Sequence, residues 1–357
     1  MYQTSIDDFL EIEEFQQDLI SWFLRVQREL PWRQNPTPYQ VWVSEIMLQQ
    51  TRVDTVIPYY DRFMQKYPNP EALAAAEEED VLKTWEGLGY YSRARNLQTA
   101  VREVVSEYNG KVPDNAKELG QLKGVGPYTK GAILSIAYQQ PEPAVDGNVM
   151  RVISRIRKVE EDIAKPKARK IIEGIVSDMI SAEDPSSFNQ GLMELGALIC
   201  KPKNPLCDEC PVQAHCRAYK EDLQEMLPIK SRKKSQRTEK YVALLIRDEN
   251  HRILVQKRPE KGLLANLWQF PMIPMDKANT TDELVQWFGD QYGITIDVHK
   301  HLTDIKHVFS HIIWNLDVYS ATSTGGCLQE GKGEFLSAEE LQQLPFPVSH
   351  QKIARLI

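Results

Sequence analysis

The sequence predicts a protein of two parts, an all-α N-terminal domain followed by a smaller α+β domain. A helical spacing of apolar residues recurs to about residue 199, with only short gaps between the segments that carry it. After residue 240, apolar side chains alternate with polar ones, which is typical of half-buried strands. A polar stretch at 221–240 separates the two patterns. We therefore predict domains at 1–220 and 241–357, joined by a linker at 221–240.

The bulk composition is that of an ordinary globular protein. The chain has 357 residues, 42% of them hydrophobic and 26% charged, and a net charge of −7. No apolar run reaches the length that spans a bilayer. The acidic N-terminal residues Asp7, Asp8 and Glu11 do not form a secretory signal, so we expect a cytoplasmic protein. The negative total argues mildly against a nucleic-acid partner, but local clusters of Lys and Arg can override it. One such cluster is Lys230, Arg232, Lys233, Lys234 and Arg237 in the linker, which could lie along a phosphate backbone.

The first helices carry a carboxylate in an apolar setting. A helix within 1–30 is stopped by Pro31, and Thr37 with Gln40 forms a capping box for the next helix. Glu45 falls on a face of that helix with apolar neighbours. Burial there would raise the pKa of Glu45, as a general acid requires. The alternative is a solvated glutamate on the helix surface.

The remaining elements follow from periodicity and turn residues. Helices are predicted near 53–67, 71–85, 92–108, 114–121, 281–291, 337–343 and 349–356. Strands are predicted at 241–247, 252–257, 267–272, 294–299, 304–309 and 312–319, the first two as a hairpin around Asp248-Glu249-Asn250. The turn at 88–96 joins aromatic and basic residues that could stack on bases and meet phosphates. Core tyrosines beside surface arginines explain it equally well.

The stretch from Leu122 to Val152 is the candidate working centre. Gly124 and Gly126 form a tight turn before Pro127, a pattern that starts a helix and aims unpaired N–H groups at one point. Such a point can bind a phosphate, although a plain turn has the same signature. Asp146 precedes another helical pattern as a predicted N-cap. The helix dipole would keep its carboxylate ionised, so we expect the pKa values of Glu45 and Asp146 to be pushed apart.

Four of the five cysteines fall within seventeen residues, with the spacing C-x6-C-x2-C-x5-C. They are Cys200, Cys207, Cys210 and Cys216. Four thiolates in one loop can surround a metal centre, either zinc or a four-iron cluster. Two disulfides are the alternative, but nothing else points to an oxidising compartment. Cys327 stands alone, and we expect it to be a small buried residue.

Several of these segments resemble one family. LKGVGPYTKGAI resembles the helix-hairpin-helix of the endonuclease III superfamily, and the cysteine loop is similar to its [4Fe-4S] motif. SEIMLQQT, GLGYYSRARNL and VDGNVMRV are similar to the adenine DNA glycosylases of the MutY kind. The resemblance implies a helix-hairpin-helix domain made of a six-helix module and a cluster module. It further implies excision of adenine paired with 8-oxoguanine from double-stranded DNA, by a monomer that flips the base out.

The resemblance also implies roles for single residues. Glu45 would be the general acid and Asp146 would stabilise the sugar cation, with support from Tyr128 and Asn148. Arg33 and Gln190 would line the adenine pocket. The DNA contacts would come from the hairpin and from residues entering the base stack: Gly124, Val125, Gly126, Gln50, Thr51, Leu88 and Tyr90.

One position departs from the bifunctional members of the superfamily. Those members carry a Schiff-base lysine two residues after the second hairpin glycine, where this chain has Tyr128. A phenol cannot form that imine, so strand-cleaving lyase activity should be weak or absent. Lys130 is nearby, but its place on the helix should point it elsewhere.

The C-terminal domain resembles the Nudix fold. When the Nudix signature is aligned with this domain, the positions of that family's metal-binding glutamates are occupied by Trp287, Asp290 and Gln291. This implies a binding domain, and the loop Phe309-Ser310-His311 would recognise 8-oxoguanine. Two alternatives remain at this point: an iron–sulfur DNA sensor without catalysis, and a Nudix hydrolase on a DNA-binding module.

Overall fold

The computed structural model describes residues 12–34, 36–231, 236–278 and 280–357. The chain divides into two compact units. The first unit comprises Met1–Ala75 and Asn96–Arg232, and the second comprises Ala76–Arg95 and Lys233–Ile357. Asp7, Asp8, Glu11, Arg232, Lys233 and Lys234, which enter the predictions for the N-terminus and the linker, lie outside the described residues.

Residues 76–95 group with the C-terminal unit, whereas our domain prediction places them in the N-terminal one. Hydrogen bonds within the second unit explain the grouping. Trp268 donates its indole N–H to Glu79, and Lys83 Nζ donates to the Leu344 carbonyl at 3.0 Å. Tyr91 Oη donates to the Phe346 carbonyl at 3.2 Å. The domain boundaries near residues 220 and 240 stay a prediction.

The helices follow the predicted pattern closely. Those up to the cysteine loop are α1 Ile12–Val26, α2 Pro38–Leu48, α3 Val53–Lys66, α4 Pro70–Ala75, α5 Glu78–Thr84, α6 Ser92–Glu107, α7 Ala116–Leu119, α8 Pro127–Tyr138, α9 Gly147–Ile156, α10 Pro166–Met179 and α11 Pro185–Leu198. The capping box of Thr37 and Gln40 is present at the start of α2, so this prediction is confirmed. None of the helices in the described ranges has both the length and the apolar content to cross a membrane.

The single helix predicted at 71–85 is wrong, because the structure has α4 and α5 there. The chain leaves the helical conformation between them, with Glu77 extended. The first turn of α5 holds Glu78, Glu79 and Asp80. Three acidic residues are favourable at the positive N-terminal end of a new helix and unfavourable at the end of a preceding one.

Short elements complete the first unit around the cysteine loop. They are the 3₁₀ turns Pro31–Arg33, Cys207–Glu209 and Gln213–His215 and the helix α12 Arg217–Lys220. A buried cluster joins α1, α9, α10 and α11, with Phe15, Leu19, Phe188 and Leu192 at its centre. Partly buried Cys200, Cys210 and Cys216 pack against the same cluster. The cysteine loop is therefore continuous with the core that carries α9.

A mixed sheet organises the second unit. Its strands are β1 Arg237–Arg247, β2 Ile253–Lys257, β3 Trp268–Gln269, β4 Met272–Pro274, β5 Ile294–Val308, β6 Ile312–Gly326 and β7 Glu334–Leu336. The order is β3-β2-β1-β6-β5, with β4 paired to β1 and β7 to β2. β1 runs parallel to β6, while β2 and β1 form the predicted antiparallel hairpin. The unit also contains α13 Thr281–Tyr292, α14 Ala338–Leu341 and α15 Val348–Ala354.

Three details of the second unit differ from the predictions. The strands predicted at 294–299 and 304–309 are one strand, β5, whose register with β6 shifts near His301. The irregular register interrupts the alternation of burial that the sequence pattern relies on. Strand β7 was not predicted because it has only three residues. Cys327 is exposed, so the expectation that it is buried is wrong.

The two faces of the sheet each pack against a separate core. Ala243 and Leu245 belong to one buried cluster, and Val242, Leu244 and Ile246 belong to the other. Successive side chains of a strand point to opposite faces, so β1 is buried on both sides. A strand that contributes to two cores fixes the position of its neighbour β6 and of the loop between β5 and β6.

Candidate active site

A pocket of about 500 Å³ in the first unit brings together the residues predicted to be catalytic. Its wall includes Glu45 from α2, Tyr128 from α8, and Asp146 and Asn148 at the start of α9. Arg33, Thr51 and Gln190, which the resemblance also implicates, line the same pocket. A volume of this size is typical of pockets that bind small organic groups.

Glu45 is buried, being 6% exposed, in the part of α2 that contributes Val41, Trp42 and Ile46 to the core. The pKa of Glu45 is raised to about 7, mainly by burial and also by the negative charge of the nearby Asp146. The hydroxyl of Tyr128 donates a hydrogen bond to Glu45 Oε2, and this bond, with the charge of Arg33, opposes the rise. The net result is a carboxyl group that can carry a proton near neutral pH.

Asp146 is the N-cap of α9. Its Oδ1 accepts a hydrogen bond from the Val149 N–H at 2.7 Å, and its Oδ2 accepts one from Asn148 Nδ2 at 3.1 Å. Burial raises the pKa of Asp146, while these bonds and the charge of Arg151 lower it. The net direction is upward, so the pKa values of Glu45 and Asp146 move in the same direction, contrary to our expectation. Loss of water around the carboxylate outweighs the helix terminus.

A chain of hydrogen bonds leads from Asp146 to the cysteine loop. Asn148 donates to Asp146 and accepts from Arg151 Nη2 at 2.9 Å. Arg151 Nη2 also donates to the Gly196 carbonyl at 2.7 Å, and its Nε donates to the Cys200 carbonyl at 2.8 Å. The amide of Asn148 is thus oriented from both ends. Arg151 was not among the predicted site residues, because an arginine inside a helix has no distinguishing sequence pattern.

Arg33 and Gln190 meet in the wall of the same pocket. Arg33 Nε donates to Gln190 Oε1 at 3.1 Å, and Gln190 Nε2 donates to Ser186 Oγ at 3.1 Å. Arg33 Nη2 donates to Glu194 Oε2 at 2.9 Å. Glu194 was missed in the sequence, although a clue was available. It lies four residues after Gln190 on the same helix, among otherwise apolar positions of α11.

Tyr128 and Lys130 diverge along α8. The buried hydroxyl of Tyr128 contacts Glu45 and lies 3.8 Å from Met193 Sδ. Lys130 Nζ lies 3.3 Å from Glu142 Oε2, and Lys130 is not part of the pocket wall. The ammonium group of Lys130 is therefore paired with a carboxylate outside the pocket.

The glycine turn before α8 has the geometry of a helix-hairpin. Gly124 has φ +81°, and a Cβ at this residue would lie 2.9 Å from Asn96 Cβ. Gly126 is the N-cap of α8, with no side-chain hydrogen bond to the first turn and no heavy atom within 4 Å of an added Cβ. The main chain of Val125, whose N–H donates to Leu122, links the two glycines. Gln50 lies elsewhere, exposed and with φ 58°, directly after α2.

The four cysteines of the loop line one pocket in the first unit. Its other walls are mostly apolar, and include Val152, Ile156, Leu195 and Val212. Arg155 Nη1 lies 3.2 Å from Cys200 Sγ and also donates to the Lys201 carbonyl at 2.7 Å. Among the described His, Cys, Asp and Glu residues, no group of three closes around a single metal ion. A shared, largely apolar pocket with four sulfur donors and one N–H donor fits a multi-atom iron–sulfur cluster.

The second unit has a pocket of its own at the loop between β5 and β6. It is about 590 Å³ in volume and is lined by Tyr90 and by Phe309, Ser310 and His311. The hydroxyls of Tyr90 and Ser310 form a hydrogen bond at 3.0 Å. Phe309 packs edge-on against Trp314, with ring centroids 4.9 Å apart. Leu88 is 6% exposed, so this side chain is buried in the structure.

Three family profiles match the chain in consecutive segments. Residues 43–178 match the HhH-GPD superfamily base excision DNA repair protein, and residues 200–216 match the iron–sulfur binding domain of endonuclease III. Residues 242–356 match a NUDIX domain. The four-cysteine loop is therefore an iron–sulfur binding domain, so the prediction of the cofactor is confirmed.

Curated relatives cover nearly the whole chain. An adenine DNA glycosylase of Mus musculus is 37% identical over 88% of this chain and 71% of its own length. The adenine DNA glycosylase of Schizosaccharomyces pombe is 32% identical over 94% of this chain and 87% of its own length. The chain belongs to the adenine DNA glycosylase family. The adenine DNA glycosylase of Buchnera aphidicola subsp. Schizaphis graminum is 36% identical, with 85% and 86% coverage.

Solved structures support the fold of the glycosylase. A thermostable thymine-DNA glycosylase superposes with a TM-score of 0.53 and 28% identity, over 59% of this chain and 97% of that one. A trapped endonuclease III–DNA covalent intermediate gives 0.51 and 26%, over 59% and 97%. The predicted fold class and enzyme class are thus confirmed: this is a base-excision DNA glycosylase with a helical domain and a Nudix-like domain. Family membership favours it over the sensor and the Nudix hydrolase.

Proposed function

We propose that this glycosylase excises adenine paired with 8-oxoguanine, and also with guanine, by acid-assisted hydrolysis and without cutting the strand. The observation that carries the proposal is that buried Glu45 and half-buried Asp146 line one pocket. Glu45 can hold a proton near neutral pH, and Asp146 is fixed by two hydrogen bonds at a helix N-terminus. Two carboxyl groups with different surroundings are suited to cleaving a glycosidic bond.

Glu45 starts the reaction in this proposal. Its proton moves to N7 of an adenine that has been flipped into the pocket, and the ring becomes a better leaving group. The bond between N9 and the sugar C1′ breaks, and its electron pair goes to the base. The sugar is left as an oxocarbenium-like cation. The Tyr128 hydroxyl holds Oε2 of Glu45, leaving the other carboxyl oxygen for the base.

Asp146 acts on the sugar. A carboxylate next to C1′ stabilises the developing positive charge, through the field alone or through a transient covalent bond. Asn148, itself oriented by Arg151, keeps Asp146 Oδ2 in place. Glu45, now ionised, accepts a proton from the attacking water, and the hydroxyl adds to C1′. The products are free adenine and an abasic site.

The pocket wall is suited to recognising adenine. Arg33 and Gln190 are hydrogen-bonded to each other and face the same pocket as Glu45. Guanidinium and amide groups can bond the ring nitrogens and the amino group of a base. Tyr128 stands in place of a Schiff-base lysine and Lys130 is paired to Glu142, so the described residues of the pocket wall include no lysine for a lyase reaction.

Contacts with the duplex are assigned to several segments. The hairpin residues Gly124, Val125 and Gly126 would bind a phosphate, because the first turn of α8 has no side-chain cap. Gln50, Thr51, Leu88 and Tyr90 would enter the base stack around the lesion. The buried position of Leu88 means that it would have to become exposed on binding. The left-handed backbone of Gln50 and the exposed ring of Tyr90 suit this role without rearrangement.

The loop Phe309-Ser310-His311 is the proposed reader of 8-oxoguanine. Phe309 anchors the loop on Trp314, and Ser310 carries a hydroxyl that already pairs with Tyr90. A hydroxyl held this way can bond the polar edge of the oxidised base.

We also propose that Cys200, Cys207, Cys210 and Cys216 hold the [4Fe-4S] cluster, which supplies a rigid, structural centre for the loop. A monomer acting on cytoplasmic DNA completes the proposal.

Single-turnover release of adenine from a duplex with adenine opposite 8-oxoguanine tests the reaction. We expect release of free adenine and strand breaks only after the product is treated with alkali. Breaks without alkali would reveal a lyase amine. No release by protein with its cluster intact would contradict the proposed substrate.

Replacing Ser310 by alanine tests the reader loop. We expect the ratio of the excision rate opposite 8-oxoguanine to that opposite guanine to fall about fivefold, because one hydrogen bond contributes about 1 kcal/mol. The matched control is Ser106→Ala, an exposed serine on α6 of the first unit, which should leave the ratio unchanged. Equal slowing on both duplexes would show that Ser310 has no part in selectivity.

A further inference from the structure

The carboxylate of Glu194 lies between two arginines at the wall of the catalytic pocket, and the mechanism above does not use it. Its side chain is 1% exposed. Its Oε1 accepts from Arg28 Nε at 2.6 Å, and its Oε2 accepts from Arg28 Nη2 at 3.1 Å and from Arg33 Nη2 at 2.9 Å. Burial raises the pKa of Glu194, but the hydrogen bonds from Arg28 and Arg33 outweigh it and the net pKa is lowered. Glu194 is therefore an anion engaged with two guanidinium groups.

These contacts fix Arg33 completely. Its Nε donates to Gln190, its Nη1 donates to the Arg28 carbonyl at 3.1 Å, and its Nη2 donates to Glu194. A planar guanidinium that is bonded at all three nitrogens has one orientation. The N–H groups that remain on Nη1 and Nη2 are then aimed before any base arrives. Arg33 is half-buried, with a side chain 13% exposed, so water competes little for them.

The same contacts control the charge that Glu45 experiences. The groups that act on its carboxyl are Tyr128 from α8, Asp146 at the cap of α9, and Arg33 from the 3₁₀ turn. The positive charge of Arg33 favours ionised Glu45, the form that cannot donate a proton. Arg28, Arg33 and Glu194 together carry a charge of +1, and Asp54 also acts on Arg28. Without Glu194 the set would carry +2.

We propose that Glu194 is a positioning residue with two effects: it holds Arg33 in the orientation that meets the adenine, and it shields Glu45 from the arginine charges. The inference rests on the proposed function, in which Glu45 donates the proton and Arg33 contacts the base. Glu194, which does not contact the reacting atoms, would then help to set the pH range in which adenine is excised.

The test compares the pH–rate profiles of two variants in single-turnover assays. Glu194→Gln should move the alkaline limb of the profile down by about 0.5 to 1 pH unit, because an added positive charge lowers the pKa of Glu45. The rate on the acidic side should fall roughly tenfold through the loss of Arg33 orientation. The double variant Glu194→Gln with Arg28→Gln restores the charge of +1. The alkaline limb of the double variant should return to its wild-type position, while the excision rate stays low.

The outcomes separate this inference from the mechanism it rests on. An alkaline limb that persists in Glu45→Gln would mean that Glu45 is not the acid, and the proposed function would fail first. A limb that Glu45→Gln removes but Glu194→Gln leaves in place would overturn the shielding role alone. The double variant keeps the net charge of +1 on this group of residues. It therefore still tests the inference if Glu194→Gln alone does not fold. A wild-type rate in the double variant would overturn the positioning of Arg33.

Discussion

Replacing Glu45 by glutamine is expected to reduce single-turnover excision of adenine by a factor on the order of 10³ or more. Glutamine has the same size and its amide oxygen can accept the Tyr128 hydrogen bond, but it has no proton to give to the base. The substitution removes both the acid of the first step and the base of the second. Adenine release, measured on a duplex with adenine opposite 8-oxoguanine, should therefore become very slow while DNA binding persists.

The pH dependence of the wild-type enzyme gives the same assignment a second check. The pKa of Glu45 is raised from 4.5 to about 7, so the proton-donating form is lost above about pH 7 and excision should decline there. Stability follows with a defined sign. Between pH 4.5 and 7 the folded state keeps a proton that the unfolded chain has lost, so stability falls as the pH rises through this range. The full penalty is about 3 to 4 kcal/mol, at 1.36 kcal/mol per pKa unit.

The wild type loses stability between pH 4.5 and 7, and Glu45→Gln should not. The free energy of unfolding of Glu45→Gln, measured relative to the wild type, should consequently be higher at pH 8 than at pH 4. An inactive but more stable variant separates catalysis from folding. Tyr128→Phe is the companion variant, because the Tyr128 hydrogen bond lowers the pKa of Glu45. Its alkaline limb should move to higher pH. Excision that survives Glu45→Gln unchanged would refute the acid assignment.

Local sequence rules were sufficient where one short segment determines the feature. Thr37 and Gln40 cap α2 as predicted, and this sets the register that buries Glu45 with Val41 and Trp42. Asp146 caps α9 for the same reason. Capping and helical periodicity depend on residues within four positions of each other. The order of the helices and the hairpin of β1 and β2 could therefore be read directly.

Features that depend on distant segments could not be predicted in this way. The carboxylate of Glu194 is defined by Arg28 and Arg33, which lie more than 160 residues away. Residues 76–95 join the second unit through partners such as Trp268 and Phe346. The upward shift of the pKa of Asp146 likewise comes from burial by the whole fold, which outweighs the local cap. Sequence patterns report local hydrogen bonding, whereas desolvation is a property of the assembled core.

Replacing Asp146 by asparagine is the second substitution expected to have a large effect, lowering the excision rate by a factor on the order of 10³. The amide keeps an oxygen that can accept from the Val149 N–H, so α9 retains its cap. The charge that stabilises the sugar cation is lost. The new NH₂ group also faces Asn148 Nδ2, which is itself a donor. Asn148 cannot simply reverse its amide, because its Oδ1 accepts from Arg151 at 2.9 Å.

The matched control is the same change at another helix start in the same unit. Asp184 caps α11 by accepting from the Ser187 N–H at 2.9 Å, and it is not among the residues that line the pocket. Asp184→Asn should leave the excision rate within a few-fold of the wild type, and thermal unfolding should show a similar small change in both variants. Asp146→Ser adds a further distinction, since serine caps the helix without charge and without the opposing donor. If this variant is as slow as Asp146→Asn, the missing charge is responsible. If it is fast, the defect in Asp146→Asn comes from the clash with Asn148, and the role of Asp146 as the anion opposite the sugar is wrong.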